Sequence, residues 1–352
     1  MCNITNKQYT NNQYTNTPTT RGLMLFTDAV YGAVEIDEPV LVALISSQAM
    51  QRLKGVLQHG ISGLIGITSP TTRFDHSVGA MVLVQRLGAS LEEQIAALLH
   101  DVSHTAFSHV IDYVFDGHDD QSYHDREKER YLAETDVPRV LGQFSYDWHT
   151  VLHEEDFSLL EQPSPRLCAD RVDYFLRDAQ DLGVATADEV AWALSHLVVS
   201  AGRMAVDDVA AASWLAHTFI KADDTSWSNF REVGIYELTA QAIKRGLTIG
   251  AIAEADIWGT DAAAWHKLQQ HPDPTLQGLL HLVNKETQFT WDEINPTFVI
   301  STKIRTIDPD VVGEDGCLRP LSHLDPTFAQ HRADYLARKQ GKWPMKVLSA
   351  ED

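Results

Sequence analysis

The chain has 352 residues, 44% of them hydrophobic, enough to bury a large core in one domain or in a domain with appendages. A formal net charge of −21, from 28 Lys and Arg against 49 Asp and Glu, argues against a general nucleic-acid binder, whose phosphate contacts need a basic surface. No apolar run approaches a membrane span, and the start MCNITNKQYTNNQYTNTPTT has no apolar centre of a signal peptide. Cys2, Cys168 and Cys317 are too sparse for a disulfide framework, so a cytoplasmic protein is expected.

Residues 1–22 lack periodicity and are expected to form a disordered tail. From Leu25 a short β-hairpin with Gly32 near its turn leads to a helix from about Glu38. The next helix begins at Ser47-Gln48-Ala49 and carries Gln51, Arg52 and Gln58. A loop, ISGLIGITSPTT, then precedes a helix with Arg73 and His76 one turn apart. LEEQIAALLHDVSHTAFSHVIDYVF reads as one helical region, with Ile95, Leu98, Leu99, Val102 and Phe107 as its apolar stripe. On that reading His100 and Asp101 lie inside the packed body, His104 falls one turn on, and Ser108 and Asp112 continue its face. A charged helix follows His124, and residues 141–160 suggest helices or loops. A helix ending at Gly183 carries Asp170, Asp173, Tyr174, Arg177 and Asp178, with Asp170, Tyr174 and Asp178 on one face. Residues 187–270 read as further helices, and alternation in TFVISTKIRTIDPDVV signals a strand.

Burying adjacent ionisable groups without partners costs several kcal/mol, and a divalent cation is an economical compensation. A lone buried His is more often a satisfied core residue. The His100-Asp101 doublet differs, because it comes with His76 upstream, His104 downstream and a late Asp170. Cys168 reads as a small buried filler. His109 is expected to cap or pack its helix, while His149, His153, His196, His217, His266 and His281 lack ligand spacing.

These stretches resemble the HD-domain metal-dependent phosphohydrolases, whose signature is His…His-Asp…Asp. TRFDHSVGA, LLHDVSHTAFSH and PRLCADRVDYFLRDAQDLG are similar to motifs of the type RFEHSLG, HDLGHGPFSH and DVDKxDYFxRDxxxLG in the dNTP triphosphohydrolase branch. The resemblance implies a mostly α fold: a helical core over residues 23–285 with a short N-terminal β-hairpin, and a small α+β appendage over 286–352. It implies His76, His100, Asp101 and Asp170 as metal ligands. Fe, Mn, Zn, Co and Ni are not distinguishable, and Mg²⁺ can accompany a nucleotide.

His104, Asp112 and His124 match the family's catalytic positions, with Asp112 expected to orient one of the two imidazoles. Gln58 matches a glutamine that helps read the sugar, which Tyr174 and Asp178 would hold. Arg73, Arg171 and Lys221 would neutralise phosphate. Three features depart from the family. His59 follows Gln58 where an apolar residue is usual, Arg171 stands in place of Lys, and SWSNFREVG differs from the usual pattern.

The expected activity is hydrolysis of (deoxy)nucleoside triphosphates to nucleoside and triphosphate. Two alternatives are a phosphatase on nucleoside monophosphates or another small phosphate ester, and a non-catalytic nucleotide sensor. The expected partners are the phosphorylated substrate and further copies of the chain, as a dimer or larger, with no membrane.

Overall fold

The computed structural model describes residues 23–115 and 122–348. The expected N-terminal tail and Cys2 lie outside them. Helices dominate, with a hairpin at the front and two small sheets behind. No helix among the described residues is long and apolar enough to cross a membrane.

The hairpin pairs Met24–Asp28 with Gly32–Ile36, and Asp28 closes the turn by accepting the amides of Val30 and Tyr31 at 2.8 and 2.9 Å. Gly32 takes φ +71°, which L side chains rarely adopt, as the sequence position suggested. Pro39–Ile45 follows, with Glu38 as its N-cap. The next helix is shorter than expected: Gln48–Arg52 passes into a 3-10 turn at Leu53–Gly55 and the chain then extends. Gln58 therefore sits not on a helix but on the turn after a bridge between Leu57 and Thr72. Gly60 fastens this turn. A Cβ there would meet the Phe107 carbonyl oxygen at 2.3 Å, so only glycine permits the approach.

Arg73–Arg86 starts where Thr72 and Asp75 form a capping box. Asp75 is thereby committed to the cap, and His76 lands in the first turn. The region read as one helix from Leu91 is broken. Leu91–Leu99 stops, residues 100–109 run as tight turns, and Val110–Val114 resumes. Phe107 and Ser108 adopt φ +66° and +48°, so Ser108 and Asp112 do not continue the face of His104. Two causes outweigh the apolar stripe. Residues 100–108 are rich in Ser, Thr, Asp and His, which compete with the helical backbone for hydrogen bonds. Tertiary bonds then hold the turn, with Ala106 N donating to Ile257 O and Phe107 N to Asp261 Oδ1, both at 2.8 Å. Asp261 Oδ2 also accepts Leu57 N at 2.9 Å, so one buried carboxylate ties both site loops together.

Tyr123–Ala133 carries His124, and Ala169–Asp181 packs against Arg73–Arg86. The stretch 187–270 is not all helical. Leu197–Ser200 and Arg203–Val206 form a hairpin, which the late strand Asp310–Val312 joins in parallel and Leu318–Pro320 extends. The second sheet places Trp343–Val347 between Phe289–Trp291 and Phe298–Ile300. Phe74 and Val78 pack in one hydrophobic cluster and Phe107, Val110 and Tyr113 in the other, so the site elements straddle two cores.

Candidate metal centre

His76, on the first turn of Arg73–Arg86, is wholly buried. Its Nδ1 faces Asp173 Oδ2 at 2.8 Å. His100 follows the last residue of Leu91–Leu99, and its Nδ1 donates to the Ala97 carbonyl at 2.7 Å. With each Nδ1 engaged, both Nε2 atoms point into one space, 3.1 Å apart. Asp170 Oδ1 lies 3.0 Å from His76 Nε2 and 3.5 Å from His100 Nε2. Asp101 oxygens lie 3.5 and 3.7 Å from the same two nitrogens. Two imidazole lone pairs converging with two carboxylates form a donor set that fits a divalent transition ion, and the Nδ1 partners are the supports that ligating imidazoles require.

Charge is tightly managed here. Burial opposes charge on His100, yet Asp101 and Asp170 outweigh it and lift the imidazole to about 10. Burial also works against the Asp101 carboxylate, but Arg73 holds it well below the usual range. The Arg73 guanidinium donates from Nη1 to Asp101 at 2.5 Å and from Nε to Ser108 Oγ at 3.1 Å.

Three imidazoles flank the ligands. His104 Nε2 lies 3.1 Å from Asp101 Oδ1. His124 stacks on His104 with centroids 3.8 Å apart, and His109 meets the two edge-on at 5.6 and 5.1 Å. Burial drives His124 down to about 3 and, with Arg73, holds His104 well below the imidazole range, so both are neutral proton acceptors at pH 7. Asp112 orients neither of them. Its Oδ2 is 3.0 Å from His109 Nδ1 and its Oδ1 accepts the Tyr123 amide at 2.9 Å. His109 occupies the N-cap position of Val110–Val114 without a side-chain cap bond, and its half-buried ring joins the site.

His100, Asp101, Asp170 and the flanking imidazoles open onto a cavity of about 690 Å³ that Gln58, Arg73, Arg171, Tyr174 and Asp178 also line. That volume lies within the usual span for small-molecule sites. Gln58 Oε1 is buried without a partner. Asp178 accepts Trp227 Nε1 at 2.7 Å and pairs with His59 Nε2 at 2.9 Å. Arg171 is turned toward its own loop, donating to the carbonyls of Gln162 and Arg166 and pairing with Glu161 at 3.4 Å. Lys221 does not line the cavity; it is exposed on Val209–Ala222.

Several contributors were not singled out from sequence. Asp173 carries both His76 and Arg177, which donates to it from Nε at 2.8 Å and reaches Asp28 at 2.8 Å. The i,i+4 spacing of Asp173 and Arg177 was the available signal. His59, His109 and His153 line the cavity without ligand spacing, and Lys303 and Arg305 enter from a distant segment with no local signal.

Residues 73–178 match the family model described as HD domain. The metal-dependent phosphohydrolase cns2 of Cordyceps militaris is 39% identical over 322 residues, covering 89% of this chain and 92% of that one. A solved phosphohydrolase structure from Bacteroides thetaiotaomicron superposes with a TM-score of 0.66 at 18% identity, covering 92% of this chain and 98% of that one. The deoxynucleoside triphosphate triphosphohydrolase SAMHD1 of Danio rerio is 31% identical over 112 residues, which is 28% of this chain and 18% of that protein.

Proposed function

We propose, from the premise that this chain belongs to the HD-domain metal-dependent phosphohydrolases, that it hydrolyses a small phosphate ester such as a nucleoside phosphate. The observation that carries the hydrolytic reading is the meeting of His76 and His100 with Asp101 and Asp170, beside two stacked imidazoles at the wall of one cavity. When bound by His76, His100, Asp101 and Asp170, a divalent ion supplies Lewis acidity toward a phosphate oxygen and toward water.

The chain's own groups supply the rest. His104 and His124, stacked beside the ligand cluster, are placed to take part in moving the proton of attacking water. His109, whose ring Asp112 fixes at Nδ1 while burial lowers its imidazole below the usual value, is suited to pass a proton on toward the departing oxygen. Arg73, fixed by Asp101 and Ser108, offers charge where the pentavalent phosphorus becomes more negative. Tyr174 and Gln58 offer hydroxyl and amide groups to a sugar. Asp178, with both oxygens engaged, would act there through His59 and Trp227.

Two readings differ in phosphate number. Cleavage of a dNTP to nucleoside and triphosphate draws on the partial likeness to SAMHD1 and on Arg171 and Lys221. The positions of those two cations favour the other reading. Lys221 is outside the cavity and Arg171 is committed to Glu161 and loop carbonyls, while Glu154, Glu155, Glu161 and Glu232 line the same walls. Each further phosphate adds negative charge that such walls disfavour. A nucleoside monophosphate, or another small phosphate ester, is therefore the substrate we favour.

The test is a panel of dNTPs, NTPs and nucleoside monophosphates incubated with metal-loaded protein, with products separated by chromatography. Orthophosphate released from monophosphates is the expected result. Tripolyphosphate released from a dNTP would move the assignment to the triphosphohydrolase reading, and binding without any product would leave a nucleotide sensor.

A further inference from the structure

Five consecutive residues, Thr302 to Thr306, line the cavity, although they lie some 130 positions beyond the last metal ligand, Asp170. They run without regular secondary structure from the strand Phe298–Ile300 to the strand Asp310–Val312. This strap is held from several sides. Ile307 is fully buried, and Asp308 N donates to the Pro165 carbonyl at 2.8 Å. Arg332 Nε donates to Thr306 Oγ1 at 2.9 Å, and the amide of Arg305 donates to buried Asp223 at 3.3 Å. Two of the five residues, Lys303 and Arg305, are cationic.

A phosphate dianion entering this acidic space needs positive charge beside it. The strap brings two cations to the cavity wall, alongside Arg73, Lys128 and Arg171. Lys303 is within electrostatic reach of Arg305, Arg171, Asp170 and Asp125, and Arg305 of Tyr174 and His109. Both cations therefore act on groups that line the same cavity.

We propose that Lys303 and Arg305, carried by the 302–306 strap, bind the phosphate group of the substrate, the task that the family resemblance assigned to Arg171 and Lys221 beside Arg73. The proposal rests on the phosphohydrolase reading and names the residues that recognise the substrate's charged end. Lys303 is a compact point charge able to follow the phosphorus through the reaction, and Arg305 is a planar fork able to fix two phosphate oxygens.

The experiment uses full-length, metal-loaded protein with orthophosphate as the probe, measured by calorimetry. Lys303→Gln and Arg305→Gln should each raise the orthophosphate Kd by about 10- to 100-fold, the usual cost of a lost charge-assisted hydrogen bond. Lys303→Arg and Arg305→Lys should stay closer to wild type, with metal content unchanged in all four. A second measurement needs no variant: saturating orthophosphate should slow acetylation of Lys303 at least tenfold, read by peptide mass spectrometry of the wild-type chain. Gln variants that bind orthophosphate within twofold of wild type, or labelling of Lys303 that ignores orthophosphate, would overturn the strap's role. Hydrolysis of phosphate esters with such strap-independent binding would sink the strap alone. Strap-dependent binding in a protein that hydrolyses no phosphate ester would sink the proposed activity and leave the strap standing.

Discussion

Replacing Asp173 should loosen the metal without touching any ligand. Asp173 is fully buried and takes three hydrogen bonds: from His76 Nδ1 at 2.8 Å, from Arg177 Nε at 2.8 Å and from Arg177 Nη2 at 3.0 Å. Burial opposes its charge, yet Arg177 prevails and keeps the carboxyl below its usual range. Asp173→Ala leaves His76 Nδ1 without its acceptor and Arg177 with Asp28 alone. Breaking a buried ion pair by removing one partner costs about 3–5 kcal/mol, and the surviving Asp28 contact puts this case near the lower end, about 3 kcal/mol. Losing the group that orients a ligating imidazole typically weakens metal binding by about 10- to 100-fold. Asp173→Asn retains one carbonyl oxygen and should fall between Ala and wild type. Urea denaturation of metal-free protein measures the first quantity, and competition with a chelator measures the second. The sign with pH follows from the lowered carboxyl: its contribution is present above the unfolded value near 3.9 and fades as pH falls through the lower folded value. Metal Kd values within twofold of wild type in both variants would refute the claim that Asp173 sets the His76 ring.

Other perturbations reach the same machinery from different sides. Gly79 lies on the ligand helix, and a Cβ there would meet Arg177 Nη2 at 1.9 Å and Asp173 Oδ1 at 2.1 Å. Gly79→Ala should therefore lower stability by about 1–3 kcal/mol and weaken metal binding in the same direction as Asp173→Ala, both read in the same two assays. His124 is held at about 3 in the folded chain, so the unfolded chain binds its proton more readily and stability falls as pH drops below about 6.5. Between pH 6.5 and 5 metal-free wild type should lose about 2 kcal/mol relative to His124→Asn; parallel denaturation curves at the two pH values would contradict this. His100 sits at about 10 without metal, so loading an ion at pH 8 should release at least one proton, seen as a buffer-dependent heat of binding. His109→Gln should lower kcat by about 10²–10⁴ with metal content preserved, measured by steady-state kinetics and elemental analysis.

The chemistry of the centre could be read from residue types and short spacings. His76, His100-Asp101 and Asp170 were legible because a buried imidazole or carboxylate demands a partner, and four such groups on apolar segments demand the same one. Local hydrogen-bond logic also carried over. Glu38 leads into the first helix, and Gly32 and Gly183 take positive φ where a turn and a helix end require it.

What failed to carry over was decided by distant partners. The apolar stripe from Ile95 to Phe107 satisfies helical spacing, yet the chain breaks at His100 because its polar residues and the Ile257 and Asp261 contacts compete for the backbone. That break turns Asp112 toward His109 and brings His104 against His124. Gln58 leaves its helix because its amide donates to the Thr71 carbonyl and the Leu57 amide to Asp261, neither of which is near it in sequence. Lys221 and Lys303 show the limit most plainly. Both are single lysines without a local signature; one is exposed outside the cavity, and the other is carried into it by a strap anchored at Pro165, Asp223 and Arg332. Sequence alone determined which groups need a partner once buried, because the cost of burying charge belongs to each residue. Tertiary structure decided which groups surround that ion, because hydrogen-bond partners far apart in the chain set the path of every loop that lines the site.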